Sequence, residues 1–186
     1  MPNFVWIDLE MTGLDPQKDV ILEMAVVITD ANINVIQQYD PITISHDLDT
    51  LTFNFSKKKY KELLGAFKAS GLLDRVKNST TNIEDAEELL FQMLKEHCIK
   101  KECYLAGNSV WNDANFLIKY MPKVWNFLHY RLLDVSSLRL LRESWYPQVS
   151  KFQKKDLHDA MADVLESIEQ LKYQREQLFR PASTSS

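Results

Sequence analysis

The chain has 186 residues, of which 45% are hydrophobic and 26% charged, with a formal net charge of −4. That length suits one compact domain with a substantial core, and the composition is that of a globular protein rather than a disordered or fibrous one. No apolar run approaches the roughly 20 residues that span a bilayer, and no basic leader followed by an apolar stretch opens the chain, so the expectation is a cytoplasmic protein without membrane association, although a processed precursor would read the same.

Taken in chain order, Asn3–Leu9, Ile21–Asp30 and Val35–Ile44 read as three strands. Gly13, Asp15 and Pro16 punctuate the first connection, and Asp30, Asn32 and Asn34 the second. Lys57–Lys68 is a basic helical stretch. Ile83–His97 is an amphipathic helix, opened by the capping-box pattern of Thr81 and Glu84, with Ile83, Ala86, Leu89, Leu90, Met93 and Leu94 along one face. Tyr104–Gly107 is a fourth strand, followed by a helix from about Asn112 to Met121 that stops at Pro122. Arg131–Val135 is a fifth strand, Ser136–Trp145 a helix, and Asp159–Leu178 a long final helix. Strands first, then helices and strands in alternation, predict an α/β fold: a mixed five-stranded sheet flanked by helices on both faces. The domain is expected to span residues 1–179, with the small and polar residues 180–186 as a disordered tail. Cys98 and Cys103 stand in no metal-binding spacing and read as reduced structural thiols.

Five residues in three separate segments carry the chemistry: Asp8 and Glu10 in FVWIDLEMTGLD, Asp113 in GNSVWNDANFL, and His158 with Asp163 in LHDAMADVLESI. Asp8 and Glu10 interrupt the apolar run Phe4, Val5, Trp6, Ile7, Leu9, Met11. Burying a charge is costly unless something pairs with it, and a divalent cation is the obvious partner. Side chains alternate along a strand, so Asp8 and Glu10 project from one face. As a pair by themselves they also fit an ordinary solvent-facing strand. Four carboxylates and one imidazole together are what a nuclease needs to hold two magnesium ions and activate a water. No long basic stripe accompanies them, which favours a small nucleic-acid substrate held at one end over a long track.

The segments WIDLEMTGLD, GNSVWND, HYRLLDVSSL and HDAMAD, in that order, resemble the oligoribonucleases, the histidine variant of the DEDD exonucleases, from about Phe4 to Leu178. The resemblance implies a ribonuclease H-like fold. It also implies that Asp8, Glu10, Asp113 and Asp163 hold two Mg²⁺ or Mn²⁺ ions, with Asp8 bridging both, and that His158 is the general base. The reaction implied is hydrolysis of very short single-stranded RNA, dinucleotides and slightly longer, from the 3′ end to nucleoside 5′-monophosphates. Five residues along a helix turn through about 140°, so His158 and Asp163 reach one site only if His158 precedes the helix, with Asp156 or Asp159 as N-cap. Asp159 shares a helix face with Asp163 and is the rival ligand.

The same resemblance implies a cap for the RNA 5′ phosphate built from Ser109, Tyr130, Arg131 and Ser136, and a wedge between bases at Leu14. Asp134 is a partner for Arg131 or a buried structural carboxylate. A homodimer is implied, with Tyr130 donated in trans, and Trp111, Phe116, Tyr120, Trp125, Phe127 and Tyr130 concentrate aromatic surface in one region. Two departures stand out. The family tryptophan that stacks on a base falls at Glu62 or Leu63, leaving Phe53, Phe55, Tyr60 and Phe67 as nearby aromatics, and Ala162 replaces a frequent acidic residue. The competing readings are an exonuclease of another DEDD branch that trims longer single-stranded RNA or DNA, and a noncatalytic RNA-binding protein.

Overall fold

The structure, a computed structural model, describes residues 1–51, 57–153 and 159–179, and describes residues 57–62 by their backbone only. In chain order the elements are β1 (Phe4–Met11), β2 (Ile21–Thr29), β3 (Val35–Gln38), β4 (Ile42–Thr43), α1 (Lys57–Ala69), α2 (Leu72–Asn78), α3 (Ile83–His97), β5 (Tyr104–Gly107), α4 (Trp111–Tyr120), α5 (Pro122–Phe127), β6 (Leu132–Asp134), α6 (Val135–Trp145) and α7 (Ala160–Leu178). Among these described residues no helix is long and apolar enough to cross a membrane.

The sheet order is β3-β2-β1-β5-β6, with β4 also pairing on β2. β1 runs antiparallel to β2, Phe4 opposite Thr29 and Glu10 opposite Glu23, and parallel to β5, Phe4 opposite Tyr104. β6 extends the parallel half from β5. The sheet is mixed and helix-flanked as expected, but the third expected strand is two: β3 and β4 pair separately with β2. Pro41 lies in the gap, and a residue with no backbone N–H cannot donate to the ladder.

Alternation along β1 sorts the two faces. Val5, Ile7 and Leu9 pack with Leu90, Phe116 and Val124, on the side of α3, α4 and α5. Trp6 packs with Val135, Val164 and Ile168, on the side of α6 and α7. β2 is buried at all nine positions, because helices cover both sides of it. Asp8 and Glu10, in phase with Trp6, therefore turn toward α7.

Two helices lie where the sequence showed none. α2 follows Gly71, whose φ of 72° is the left-handed conformation that glycine takes without strain. Pro122 ends α4 as expected but also sits in the first turn of α5, where its missing N–H is no loss. The capping box at Thr81 does not form. Asn82 is the cap, its side-chain oxygen accepting from Asp85 N at 2.8 Å.

Candidate active site

Asp8, Glu10 and Asp163 each bring a carboxylate oxygen to within 4.8 Å of the other two. β1 supplies the first two from one face, and the first turn of α7, packed across that face, supplies the third. All three are half-buried. Burial raises the Glu10 pKa to about 8, with the charges of Asp163, Glu23, Asp159 and Asp113 adding to the shift. Glu10 is thus protonated over much of the neutral range unless a cation neutralises the cluster. Three hard oxygen donors in one place, one of them unwilling to ionise alone, suit a divalent cation such as Mg²⁺ or Mn²⁺.

Asp113 stands apart from that trio. It is 6% exposed in the first turn of α4, and its Oδ1 accepts from Leu9 N at 3.0 Å. That bond ties it to the backbone between Asp8 and Glu10. Burial pushes its pKa up against the lowering effect of the Leu9 N–H. The rival ligand Asp159 is occupied as the N-cap of α7, its Oδ1 accepting from Ala162 N at 2.9 Å. Ala162 thus serves the cap through its backbone. α7 begins at Ala160, and His158 and Asp156 lie outside the described residues.

A supporting ion pair escaped the sequence reading. Glu23, opposite Glu10 on β2 and 1% exposed, receives Arg75 Nε at 2.8 Å, Arg75 Nη2 at 2.7 Å and Thr43 Oγ1 at 2.6 Å. The forked contact engages both oxygens of this carboxylate beside the acidic cluster, so it is not free to ligate a cation. The available signal was a lone glutamate inside the apolar run ILEMAVVIT, with no clue in sequence to its partner 52 residues away.

The residues expected at the phosphate cap divide into two groups. Ser109 and Ser136 converge, with their hydroxyls 3.2 Å apart. Ser109, at φ 52°, donates its N–H to Asp134 Oδ1 at 2.9 Å and to Ser136 Oγ at 3.0 Å. Asp134 Oδ1 also accepts from Ser136 N at 2.8 Å, so it caps α6. Of the two roles open to Asp134, the structural one is therefore the one observed. Ser136 Oγ reaches Asn108 Oδ1 (3.1 Å), Asn108 Nδ2 reaches Ser167 Oγ (2.8 Å), and Ser167 Oγ reaches Asp163 O (2.8 Å). The hydroxyl pair is thereby hydrogen-bonded to the helix that carries Asp163. Tyr130 and Arg131 form the second group, on the surface. Tyr130 is 68% exposed, stacks on His129 at 4.6 Å between centroids and lies beneath the Arg131 guanidinium at 5.4 Å.

Leu14 is 51% exposed on the loop between β1 and β2. That loop is tightly specified. Asp19, fully buried, accepts from Thr12 Oγ1 at 3.2 Å and Asp15 N at 2.9 Å, and Tyr120 Oη donates to Asp19 O at 2.6 Å. A Cβ on Gly13 would lie 2.2 Å from Asp19 Oδ2. Gly13→Ala is therefore expected to cost about 1–3 kcal/mol as an overpacked site, lowering the melting temperature by roughly 2–4 °C per kcal/mol. An unchanged melt would show that the loop yields more easily than its contacts imply.

Of the candidate stacking aromatics, Phe67 is 1% exposed and packs with Leu22, Leu72 and Val76 in the core, so it cannot stack on a base. Phe53, Phe55 and the side chains of Tyr60 and Glu62 lie outside the described residues. The aromatic cluster after Trp111 also divides. Phe116 and Phe127 are core, while Trp111 at 57% and Tyr130 at 68% face outward.

The family model described as "Exonuclease" matches residues 5–171. An oligoribonuclease of Bordetella pertussis is 42% identical over 182 residues, covering 96% of both chains. A probable oligoribonuclease of Dictyostelium discoideum is 43% identical over 178 residues, covering 96% of this chain and 91% of its own. Among solved structures, E. coli exonuclease I in complex with a 5cy-dT13 oligonucleotide superposes with a TM-score of 0.68 at 17% identity. It covers 95% of this chain, which spans 41% of that one, so the likeness is one of fold. Identity above 40% along nearly the full length, on a fold that gathers three of the four motif carboxylates, places the chain in the oligoribonuclease family of exonucleases.

Proposed function

We propose that this protein hydrolyses very short single-stranded RNAs from the 3′ end, releasing nucleoside 5′-monophosphates. The observation that carries the reading is the pairing of two sites within one hydrogen-bonded frame. The carboxylates of Asp8, Glu10 and Asp163 gather at one point, and the Ser109–Ser136 hydroxyl pair is joined to Asp163 through Asn108 and Ser167.

Asp8, Glu10, Asp113 and Asp163 would hold two Mg²⁺ or Mn²⁺ ions, which when bound supply a clamp for the attacking and leaving oxygens. The chain's own residues do the rest. His158 takes the proton from the attacking water. Ser109 offers a neutral hydroxyl donor to the 5′ phosphate, Ser136 adds a second by turning its one hydroxyl hydrogen away from Asn108, and Arg131 forks onto the phosphate. Leu14 wedges between the bases. Glu23, occupied by Arg75, holds the strand beside Glu10 without competing for the ions. A cap shaped for a terminal phosphate favours the shortest RNAs, because a phosphate bearing a further nucleotide fits it less well and binds more weakly. Product analysis on 5′-labelled RNAs of graded length tests this directly. Dinucleotides consumed faster than long strands support it. Equal or faster trimming of long RNA or DNA favours another branch of DEDD exonuclease, and no turnover with Mg²⁺ or Mn²⁺ favours a noncatalytic binder.

Tyr130 completes the cap of a partner subunit in a homodimer. Its outward ring, buttressed by His129 and Arg131, supports that role, and exposed Trp111 offers further interface surface. Inactive Asp8→Asn mixed with inactive Tyr130→Ala is expected to regain activity under subunit exchange. One site in each hybrid dimer then has both Asp8 and the Tyr130 of the other subunit intact. A monomer by sedimentation, or no rescue despite proven exchange, would count against it.

A further inference from the structure

A cavity of about 210 Å³ opens between α6 and α7, away from the carboxylate cluster. Its charged lining is Arg139, Arg142, Lys151 and Glu143, three cations against one anion. Glu143 is taken up by Arg142, whose Nη2 donates to it at 3.0 Å, while Arg142 Nη1 donates to Val149 O at 2.8 Å. Among the described residues Arg139 and Lys151 have no carboxylate partner, so the cavity presents two unopposed positive charges. Phe152 and Tyr173 add two aromatic rings with centroids 5.9 Å apart.

The decisive group is Gln174. It lines the cavity, is 1% exposed, and its Oε1 has no hydrogen-bond partner among the described residues. A buried polar atom without a partner costs stability, and native structures keep few of them. Exchanging the two ends of the amide would bury an unpartnered donor instead, so the demand for a ligand is the same. A glutamine amide, with donor and acceptor side by side, matches the edge of a nucleobase. The volume is below the roughly 300 Å³ at which pockets take drug-sized ligands, which limits the occupant to about one nucleotide.

We propose that this cavity is a nucleotide subsite distinct from the carboxylate cluster, in which Gln174 pairs with a base edge, Phe152 and Tyr173, packed on each other, form one aromatic wall beside the base, and Arg139 with Lys151 takes the phosphate. The choice of a nucleotide over other planar anions rests on the reading that the protein handles RNA. The nucleotide is either a free mononucleotide or the 5′ nucleotide of an RNA longer than a dimer. The cavity also communicates with the cap, because Gln170 in its wall accepts from Asn108 Nδ2 at 3.0 Å, and Asn108 Oδ1 accepts from Ser136 Oγ.

The test uses the full chain in chelator, titrated with nucleoside 5′-monophosphates, unphosphorylated nucleosides and inorganic phosphate, by calorimetry and by following the Tyr173 ring in NMR spectra. Mononucleotides are expected to shift the Tyr173 resonances. Gln174→Leu should weaken that binding by roughly three- to tenfold, the worth of one hydrogen bond, and raise the melting temperature, since it removes an orphan acceptor. A glutamine of purely structural value would do the reverse. Arg139→Gln, on a half-exposed position that tolerates exchange, should weaken mononucleotide binding and leave nucleoside binding alone. With metal restored, KM for a trinucleotide that rises three- to tenfold in either variant, with KM for a dinucleotide unchanged, assigns the subsite to the RNA's own 5′ end. Unmoved Tyr173 resonances together with unchanged trinucleotide kinetics overturn the proposal. Dinucleotide cleavage by the unsubstituted protein reports separately on the function proposed above.

Discussion

Asp8→Asn is expected to lower turnover by on the order of a thousandfold or more while leaving the metal-free protein at least as stable as before. A metal clamp contributes several kcal/mol to the transition state, and each 1.36 kcal/mol is tenfold in rate. The stability half of the expectation comes from the crowding of the cluster, with carboxylate oxygens of Asp8, Glu10 and Asp163 within 4.8 Å of one another. The folded pKa of Glu10, about 8, lies above its ordinary value of 4.5. Its contribution to stability is therefore complete below about pH 4.5 and is lost as pH rises through about 8. Without metal, the unsubstituted protein should melt at progressively lower temperature across that window, and Mg²⁺ or Mn²⁺ should restore the loss at the upper end. The Asp8→Asn substitution removes one oxygen ligand from the group, so the variant's melt should depend less on metal, while the pH dependence that burial imposes on Glu10 should remain. Melting curves in chelator at several pH values, beside a turnover assay with metal, measure both halves. Full activity in chelator, or in the variant, would end the two-ion reading.

How much of this was legible in the sequence depends on the range over which each feature is determined. The i, i+2 spacing of Asp8 and Glu10 on an apolar strand is local, and the structure puts both on one face as alternation requires. The meeting of β1 with α7 spans 153 residues from Glu10 to Asp163, and no periodicity encodes that distance. Only the order of the motifs pointed to it. Glu23 and Arg75 went unread for the same reason, since a pair 52 residues apart leaves no trace in local pattern. The errors at the edges of elements were contests between neighbouring residues of similar propensity. Asn82 took the cap from Thr81, and Pro122 both ended one helix and opened the next. Asp159 and Asp163 share a helix face, and only the hydrogen bond to Ala162 N shows which of them is spent on the backbone. Phe67 could not be distinguished from a stacking aromatic until its burial among Leu22, Leu72 and Val76 was visible.

His158→Ala is expected to reduce kcat by roughly two to four orders of magnitude, the usual worth of a positioned general base, with a much smaller change in KM. Geometry sets the first condition. On one helix, positions 158 and 163 would diverge by about 140°, so a histidine that serves the Asp163 site must precede the first turn. α7 begins at Ala160, with Asp159 as its cap, so the helix starts where that requirement puts it. The neighbouring carboxylate that could substitute as a base, Asp159, is engaged with Ala162 N at 2.9 Å. An imidazole with an unperturbed pKa of about 6.5 accepts a proton at neutral pH and loses that capacity in acid, so the rate of the unsubstituted enzyme should rise with pH through the histidine's titration. In the alanine variant that limb should disappear. The residual rate should climb with hydroxide instead, since the water must then ionise without help. Rate–pH profiles under saturating metal and dinucleotide separate the cases. A variant that keeps the parent's profile and loses less than about tenfold in kcat would move the base to another residue, whereas a large fall in affinity with kcat preserved would make His158 a substrate contact.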